Sequence, residues 1–287
     1  MTTPTLKDFR LRHRLRVRWA EIDLQRIVFN PHYLMYVDTA FTDYWRALAI
    51  PYEVIPQTLG GDLYVKKSTL EFHGSAHLDE VLTIGIRCQR IGNSSLQFVA
   101  GIFRDARLLV SSELIYVFAD PATQTSRPLP QVLRDIFAAY EAGAEMVETR
   151  IGAWSELRDE ASAVRRVALA DDLGVPGLEA DDSDADCQHL VLRNRLGLAV
   201  ATGRLQQESP GCSRIARVAV LRGLRGSGLG HAVVEGLAAL ARHRGDARVL
   251  LSAHEQVWPF YEGLGFSAIG PSYEEAGMPH QDMERVL

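Results

Sequence analysis

The sequence predicts two domains of different fold class: an α+β unit over residues 1–145 and an α/β unit over 155–287, with a linker at 146–154. Three observations carry this. In the first half, one long apolar helix precedes four strand-like runs joined by short connections, the grammar of an antiparallel sheet beside a helix. In the second half strands alternate with helices, and a glycine-rich turn leads from one strand into a helix. Between the halves, residues 143–160 are rich in Ala and Glu and carry no sustained apolar period.

Taken in order, "RLRHRLRVRW" alternates Arg10, Arg12, Arg14, Arg16 and Arg18 with Leu11, His13, Leu15, Val17 and Trp19. Period two predicts a strand with one wet, basic face and one mostly apolar face. The basic face is either simply solvated or a patch that attracts phosphate. From Tyr33 the period changes. Tyr33, Leu34, Val37, Ala40, Phe41, Tyr44, Trp45 and Leu48 form one apolar stripe of a helix over 31–49. Asn30 is expected at its N-cap and Pro31 at its first position, and Pro51 limits its end. Strands follow at 62–73, 79–91, 94–104 and 107–118, connected by "HGSAHLDE", "GNSS" and "RDAR". The segment "DPATQTSRPLP" breaks the pattern, and a helix over 130–142 closes the unit.

The second unit opens on the helical stretch "SAVRRVALADDLG", followed by the acidic loop "GLEADDSDADC". Strands are expected at 188–193, 197–206 and 213–221, then the helix "HAVVEGLAALARHRG", the strand "ARVLLSAH", a short helix at 256–264 and one last strand.

Composition narrows the function classes. An apolar fraction of 47% and a charged fraction of 23% suit soluble globular domains. The net charge is −5 and neither half has an excess of Lys and Arg, which argues against a general nucleic-acid binder. No apolar run reaches the roughly 20 residues of a membrane span, and the N-terminus lacks the apolar core of a signal peptide. A cytoplasmic location is the expectation. Cys88, Cys187 and Cys212 form no C-x-x-C pair, so neither a disulfide framework nor a zinc site is expected. In the acidic loop Asp181, Asp182, Asp184 and Asp186 lack the glycine and terminal glutamate of a calcium loop, and a solvated loop is the simpler reading.

The sharpest local signal is "VAVLRGLRGSGLGHAVVEGL". Glycines let main-chain N–H groups approach a ligand closely, and a helix start favours phosphate. The order strand-R-G-x-G-x-G-helix, with "WPFYEGLGF" downstream, resembles the GNAT acetyltransferases over roughly 155–287. That resemblance implies acetyl-CoA or another acyl-CoA as substrate and no metal. The main chain of Val218 and Val220 would hold the pantetheine arm, and Arg225, Gly226, Gly228 and Gly230 the pyrophosphate. Tyr261 would protonate the departing thiolate, a role suited to a phenol beside a sulfur leaving group. Glu274, Glu275 and His280 are candidates for binding or deprotonating an amine acceptor.

In the first half, "RWAEIDLQRIVFNPHYLMYVD" resembles the 4-hydroxybenzoyl-CoA thioesterase family of hotdog domains, with its D-x-x-G-I-V-x-x-x-x-Y pattern, over about 10–142. The resemblance implies a sheet wrapped around the long helix and a homodimer or homotetramer built through this domain. The catalytic carboxylate falls on Asp23, as nucleophile or as a base activating water. Asn30 falls on the donor position for the tetrahedral oxyanion, aided by N–H groups at the helix start. His32 and Tyr33 are candidate substrate contacts. Arg26 replaces the family's glycine and His32 its usual asparagine; an arginine there needs negative φ or pays strain. Asp38, on the helix, is the rival carboxylate. Together the halves imply a bifunctional CoA-ester enzyme. In the alternative, only the second half is catalytic and the first is a dimerisation or CoA-ester-binding module.

Overall fold

The alternating arginines form a strand over Leu11–Arg16 (β1), where Arg12, Arg14 and Arg16 are exposed and Leu11, His13 and Leu15 half-buried. The computed structural model describes residues 3–171, 177, 179–275 and 278–287, and the chain divides into two compact units, 1–146 and 147–287.

The first unit continues with helices Asn30–Ala47 (α1) and Val54–Leu59 (α2). Strands Asp62–Phe72 (β2), Val81–Ile91 (β3), Ser95–Arg104 (β4) and Arg107–Ala119 (β5) come next, and helix Gln131–Glu141 (α3) closes the unit. The strands form one antiparallel sheet in the order β1-β3-β4-β5-β2. α1 packs on β1, β3 and β4. It buries Tyr33, Tyr36, Val37, Ala40, Phe41, Tyr44 and Trp45, the stripe its i, i+3, i+4 spacing dictates. Inside this core the Tyr44 hydroxyl donates to Glu141 Oε1 at 2.5 Å, and the same oxygen accepts the Cys88 amide at 2.8 Å. One carboxylate thus ties α3 to α1 and β3 and removes two buried donors from apolar surroundings, each worth about 1–3 kcal/mol if left unpaired.

Asn30 does not cap α1. Phe29 holds the capping position with extended backbone, and Asn30 and Pro31 are the first helical residues. The main-chain bond Phe29 N to Glu21 O (2.9 Å) sets the entry of the chain one residue earlier than the Asn-Pro pair predicts.

The second unit consists of strand Val147–Ala153 (β6), helix Trp154–Arg165 (α4) with a wider turn to Asp171, and strands Gln188–Asn194 (β7), Ala199–Ser209 (β8) and Cys212–Val220 (β9). Helix Leu229–His243 (α5), strand Arg248–His254 (β10), helix Trp258–Glu262 (α6) and strands Ser267–Glu275 (β11) and Met278–Val286 (β12) complete it. The sheet order is β11-β12-β10-β9-β8-β7-β6; β9 and β10 run parallel and every other neighbouring pair is antiparallel. α4 and α5 both pack on β7, β8 and β9.

Three expectations change here. Residues 147–153, expected within a linker, are an edge strand paired along their whole length with β7. The last segment is a hairpin rather than one strand, with Gly270 and Pro271 lying where the β11–β12 register shifts. The acidic loop is not simply solvated: Asp184 is fully buried and Asp181 half-buried, both bonded to arginines. Of that loop, residue 178 lies outside the described residues, as do residues 172–176 before it. Cys88, Cys187 and Cys212 are free and buried. Among the described residues no helix is long and apolar enough to cross a membrane.

Candidate functional site

The chain between β1 and α1 is a closed loop. Ile22 and Val28 form a β-bridge, Asp23 N donates to Ile27 O (2.9 Å) and Arg26 N to Asp23 O (3.0 Å). So tight a return needs a left-handed residue, and Arg26 supplies it with φ +62°. The arginine therefore keeps the conformation that glycine takes freely, and the expected choice between negative φ and strain resolves as strain. Val28 N to Ala76 O (2.9 Å) fastens the loop to the body of the unit.

This closure places Asp23 at the mouth of a cleft of about 380 Å³ lined by Asp23, Ile27, Asn30, Tyr33, Phe72 and Ser75 among others. Asp23 Oδ1 accepts the Gln25 amide at 2.7 Å. The exposed Asn30 side chain is not spent on capping. Tyr33 is buried, packs edge-on against Phe72, and its hydroxyl oxygen accepts the Ala76 amide at 2.9 Å, which leaves the hydroxyl proton available. Burial raises the Tyr33 pKa above its ordinary value. Asp23, Asn30 and Tyr33 are thus brought together. His32 is not part of the cleft lining: it packs edge-on against Phe29, and its Nδ1 is buried without a hydrogen-bond partner. Asp38 is exposed on α1 and also does not line the cleft.

In the second unit β9 and β10 pair only at Arg248–Cys212, Val249–Ser213 and Leu250–Arg214. β9 continues to Val220 and β10 to His254 without pairing each other. Among the described residues the edge of β9 that faces β10 therefore has no strand partner from Ile215 onward, and Val218 and Val220 lie on it. Beyond β9, Gly226 (φ +82°) and Gly228 (φ +88°) turn the chain into α5, with open space where a Cβ would stand. α5 starts at Leu229, so its first amides lack intrahelical acceptors. At Gly230 a Cβ would come within 3.4 Å of the Phe260 ring, which brings α6 against the start of α5. Arg225 is anchored inward, Nε donating to Val220 O (3.3 Å) and Nη2 to Ala168 O (3.2 Å).

Tyr261, on α6, is 9% exposed and packs on Phe260 and Phe266. Burial pushes its pKa up to about 12, so the phenol keeps its proton at physiological pH. His280 lies on β12 opposite both His254 and Tyr273, and its Nδ1 is 2.9 Å from Met278 O. Glu274 is exposed on β11, while the Glu275 side chain lies outside the described residues. Sequence reasoning missed His254, whose ring packs edge-on against His280 at 6.1 Å and whose pKa is lowered by burial and by His280. Its only sequence signal is that it closes the strand "RVLLSAH". Tyr273 was missed likewise; its hydroxyl is 2.5 Å from Ser252 Oγ and donates to Asp282 at 3.2 Å. No group of three or more His, Cys, Asp or Glu side chains is arranged to hold a metal among the described residues.

Sequence comparison gives the class of each unit: both match domain families that use CoA esters. The profile of the thioesterase superfamily matches residues 25–111, and that of the GNAT acetyltransferase domain matches residues 182–287. A UPF0039 protein of Schizosaccharomyces pombe is 35% identical over 113 residues, which is 38% of this chain and 74% of that protein. The uncharacterised N-acetyltransferase YjcF of Bacillus subtilis is 28% identical over 130 residues, 45% of this chain and 91% of its own. A solved 1,4-dihydroxy-2-naphthoyl-CoA thioesterase from Synechocystis is 16% identical, covers 45% of this chain and 95% of its own, and superposes with a TM-score of 0.42. The chain thus carries one region that matches the thioesterase-superfamily model and, after it, one that matches the GNAT acetyltransferase model.

Proposed function

We propose that both units are catalytic: the first hydrolyses an acyl-CoA thioester, and the second transfers an acetyl or acyl group from CoA to an amine. The observation that carries the first activity is the shared cleft of Asp23, Asn30 and Tyr33 at the start of α1. With Oδ1 fixed by Gln25, the second oxygen of Asp23 is the one that attacks the thioester carbonyl or takes the proton of an attacking water. The carbonyl oxygen becomes negative in the tetrahedral intermediate, where the Asn30 amide and the first amides of α1 stabilise it. Collapse breaks the C–S bond. Where Asp23 activated water, its proton passes to the departing CoA thiolate and the carboxylic acid is released. Where Asp23 itself attacked, water then cleaves the acyl-aspartyl anhydride, regenerating the carboxylate and supplying the proton to CoA.

In the second unit the parted edge of β9 supports binding of the pantetheine arm, and the Gly226–Gly230 turn supports binding of the pyrophosphate. An amine nitrogen attacks the thioester carbon, the C–S bond breaks, and Tyr261 gives its proton to the departing thiolate. His254, at the end of β10, and His280, opposite it on β12, are the acceptors for the amine proton. Both reactions use CoA esters and neither employs a metal. The first unit carries the chain's self-association into a homodimer or homotetramer. Phe72 of the outer strand β2 is 50% exposed and also lines the Asp23 cleft, so a second copy laid along β2 adds a wall to it.

The test is thiol release by the full chain across a panel of acyl-CoA substrates, with and without amines. Amine-independent release should disappear in Asp23→Asn and amine-dependent release in Tyr261→Phe. Release that persists unchanged in the matching variant removes that unit's assignment.

A further inference from the structure

The β8–β9 register jumps from Thr202↔Ala219 to Arg204↔Ala216, so β9 bulges at Arg217 and Val218. Arg217 adopts φ +53° there, a left-handed backbone that a residue with a Cβ holds only when its surroundings enforce it. The Arg217 side chain is held by an ion pair: its Nη2 and Nε donate to Asp181 Oδ2 at 2.7 and 3.3 Å. The other oxygen of Asp181 accepts Arg204 Nη1 at 2.6 Å, from the strand across the bulge. One carboxylate therefore staples the two strands that flank the bulge.

Asp181 is itself held in place. Its Oδ1 accepts the Ser183 amide at 3.0 Å, and its own amide donates to Asp184 Oδ2 at 2.9 Å. Asp184, fully buried, is gripped by Arg165 Nη1 through both oxygens at 2.9 Å and by Arg204 at 2.8 Å. Arg165 also faces Nδ1 of His189 at 3.2 Å, and His189 Nε2 is 2.9 Å from Asp184 O. Asp181 thus transmits a rigid buried cluster to one backbone position on β9.

We propose that Asp181 is a positioning residue for the acyl-CoA site, maintaining through Arg217 the bulge that presents Val218 and Val220 along the parted edge of β9. The inference rests on the reading of that edge as the pantetheine site. It also gives the acidic segment 181–184 a role that neither a solvated loop nor a cation site supplies.

Hydrogen exchange of the full chain, followed by mass spectrometry of the peptide spanning 212–221 with and without CoA, tests it. In the wild-type chain CoA slows exchange of this peptide, with half-saturation at some concentration. Asp181→Asn, which keeps the shape but loses the charge, raises that concentration about tenfold. Arg217→Gly alone stays within about twofold of wild type, because glycine takes φ +53° unaided. Asp181→Asn with Arg217→Gly regains most of the loss, a rescue that a merely stabilising role for Asp181 does not produce. Unchanged CoA response in Asp181→Asn, or failure of the double variant to recover, overturns the inference while leaving the β9 site standing. Absence of any CoA protection at 212–221 in the wild-type chain overturns both. If Asp181→Asn does not fold alone, Arg217→Gly decides: loss of CoA protection in that variant means the arginine side chain itself is needed, and the proposal falls.

Discussion

Asp23 Oδ1 lies 2.7 Å from the main-chain nitrogen of Gln25, so one oxygen of this carboxylate is committed to its own loop. The other accepts no hydrogen bond among the described residues and belongs to a cleft shared with Asn30 and Tyr33. A loop acid used only for its turn could be asparagine, since an amide oxygen accepts the same bond. Asp23→Asn is therefore predicted to preserve the fold, with an unchanged melting temperature. Amine-independent acyl-CoA hydrolysis should fall by about 10²–10⁴, the usual contribution of a positioned acid or base. Asp38→Asn, outside the cleft, should leave hydrolysis unchanged. Thiol-release kinetics on the three chains check both statements.

The left-handed arginine in the same loop leads to a stability prediction. Arg26 at φ +62° bears a steric cost that glycine does not. Arg26→Gly should stabilise the first unit by about 0.5–1 kcal/mol, the relieved strain outweighing the extra freedom of glycine in the unfolded chain. Arg26→Val should destabilise it, because a β-branched residue tolerates this backbone least. Urea midpoints of the isolated substitutions, compared at equal slope, measure the effect. A destabilised Arg26→Gly would mean that the guanidinium contributes more than the backbone strain costs.

What was legible in the sequence follows from how local the signal is. The stripe of α1 and the strands β2 to β5 were readable because periods of 3.6 and 2 survive in any buried face. Asp23, Asn30 and Tyr33 sit within one short segment, and the resemblance of that segment to a thioesterase family is what singled them out. The glycine turn before α5 was readable because Gly226 and Gly228 both need positive φ. β6 was not, since an edge strand with exposed Ile151 and charged Glu148 and Arg150 shows only a weak alternation. The final hairpin was read as one strand because Gly270 and Pro271 blur it. Asp181 and Asp184 were read as solvated because their partners Arg165, Arg204 and Arg217 come from three distant elements, and no local period marks such a cluster. His254 and His280 meet only through strand register.

Tyr261 supports a prediction about pH. Burial raises its pKa to about 12, so the phenol remains protonated throughout the ordinary assay range. If it protonates the thiolate, amine-dependent transfer should show no alkaline decline from Tyr261 below about pH 11, whereas an exposed phenol would begin to fail near its ordinary value of about 10. Tyr261→Phe should lower kcat by about 10²-fold or more with little change in KM, because the lost proton transfer belongs to the transition state. A kcat unchanged in Tyr261→Phe removes the tyrosine from the chemistry.

The buried cluster of the second unit predicts acid sensitivity. Burial pushes the carboxyls of Asp181 and Asp184 upward, but the hydrogen bonds from Arg204, with Arg217 on Asp181 and Arg165 on Asp184, more than reverse this. Both folded-state pKa values therefore lie below those of the unfolded chain, about 3.9 for aspartate. A depressed carboxyl contributes its full stability above the unfolded value and loses it as pH falls through the folded one. Hydrogen-exchange protection of β7 and β8 should hold from neutral pH to about pH 5 and then decline with further acidification. Asp184→Asn should lower protection at pH 7 by about 3–5 kcal/mol, because it leaves Arg165 buried without its charge partner. The same variant should show a shallower acid decline, one of the two depressed carboxyls being gone. A decline as steep as that of the wild-type chain would place the acid-sensitive groups elsewhere in the unit.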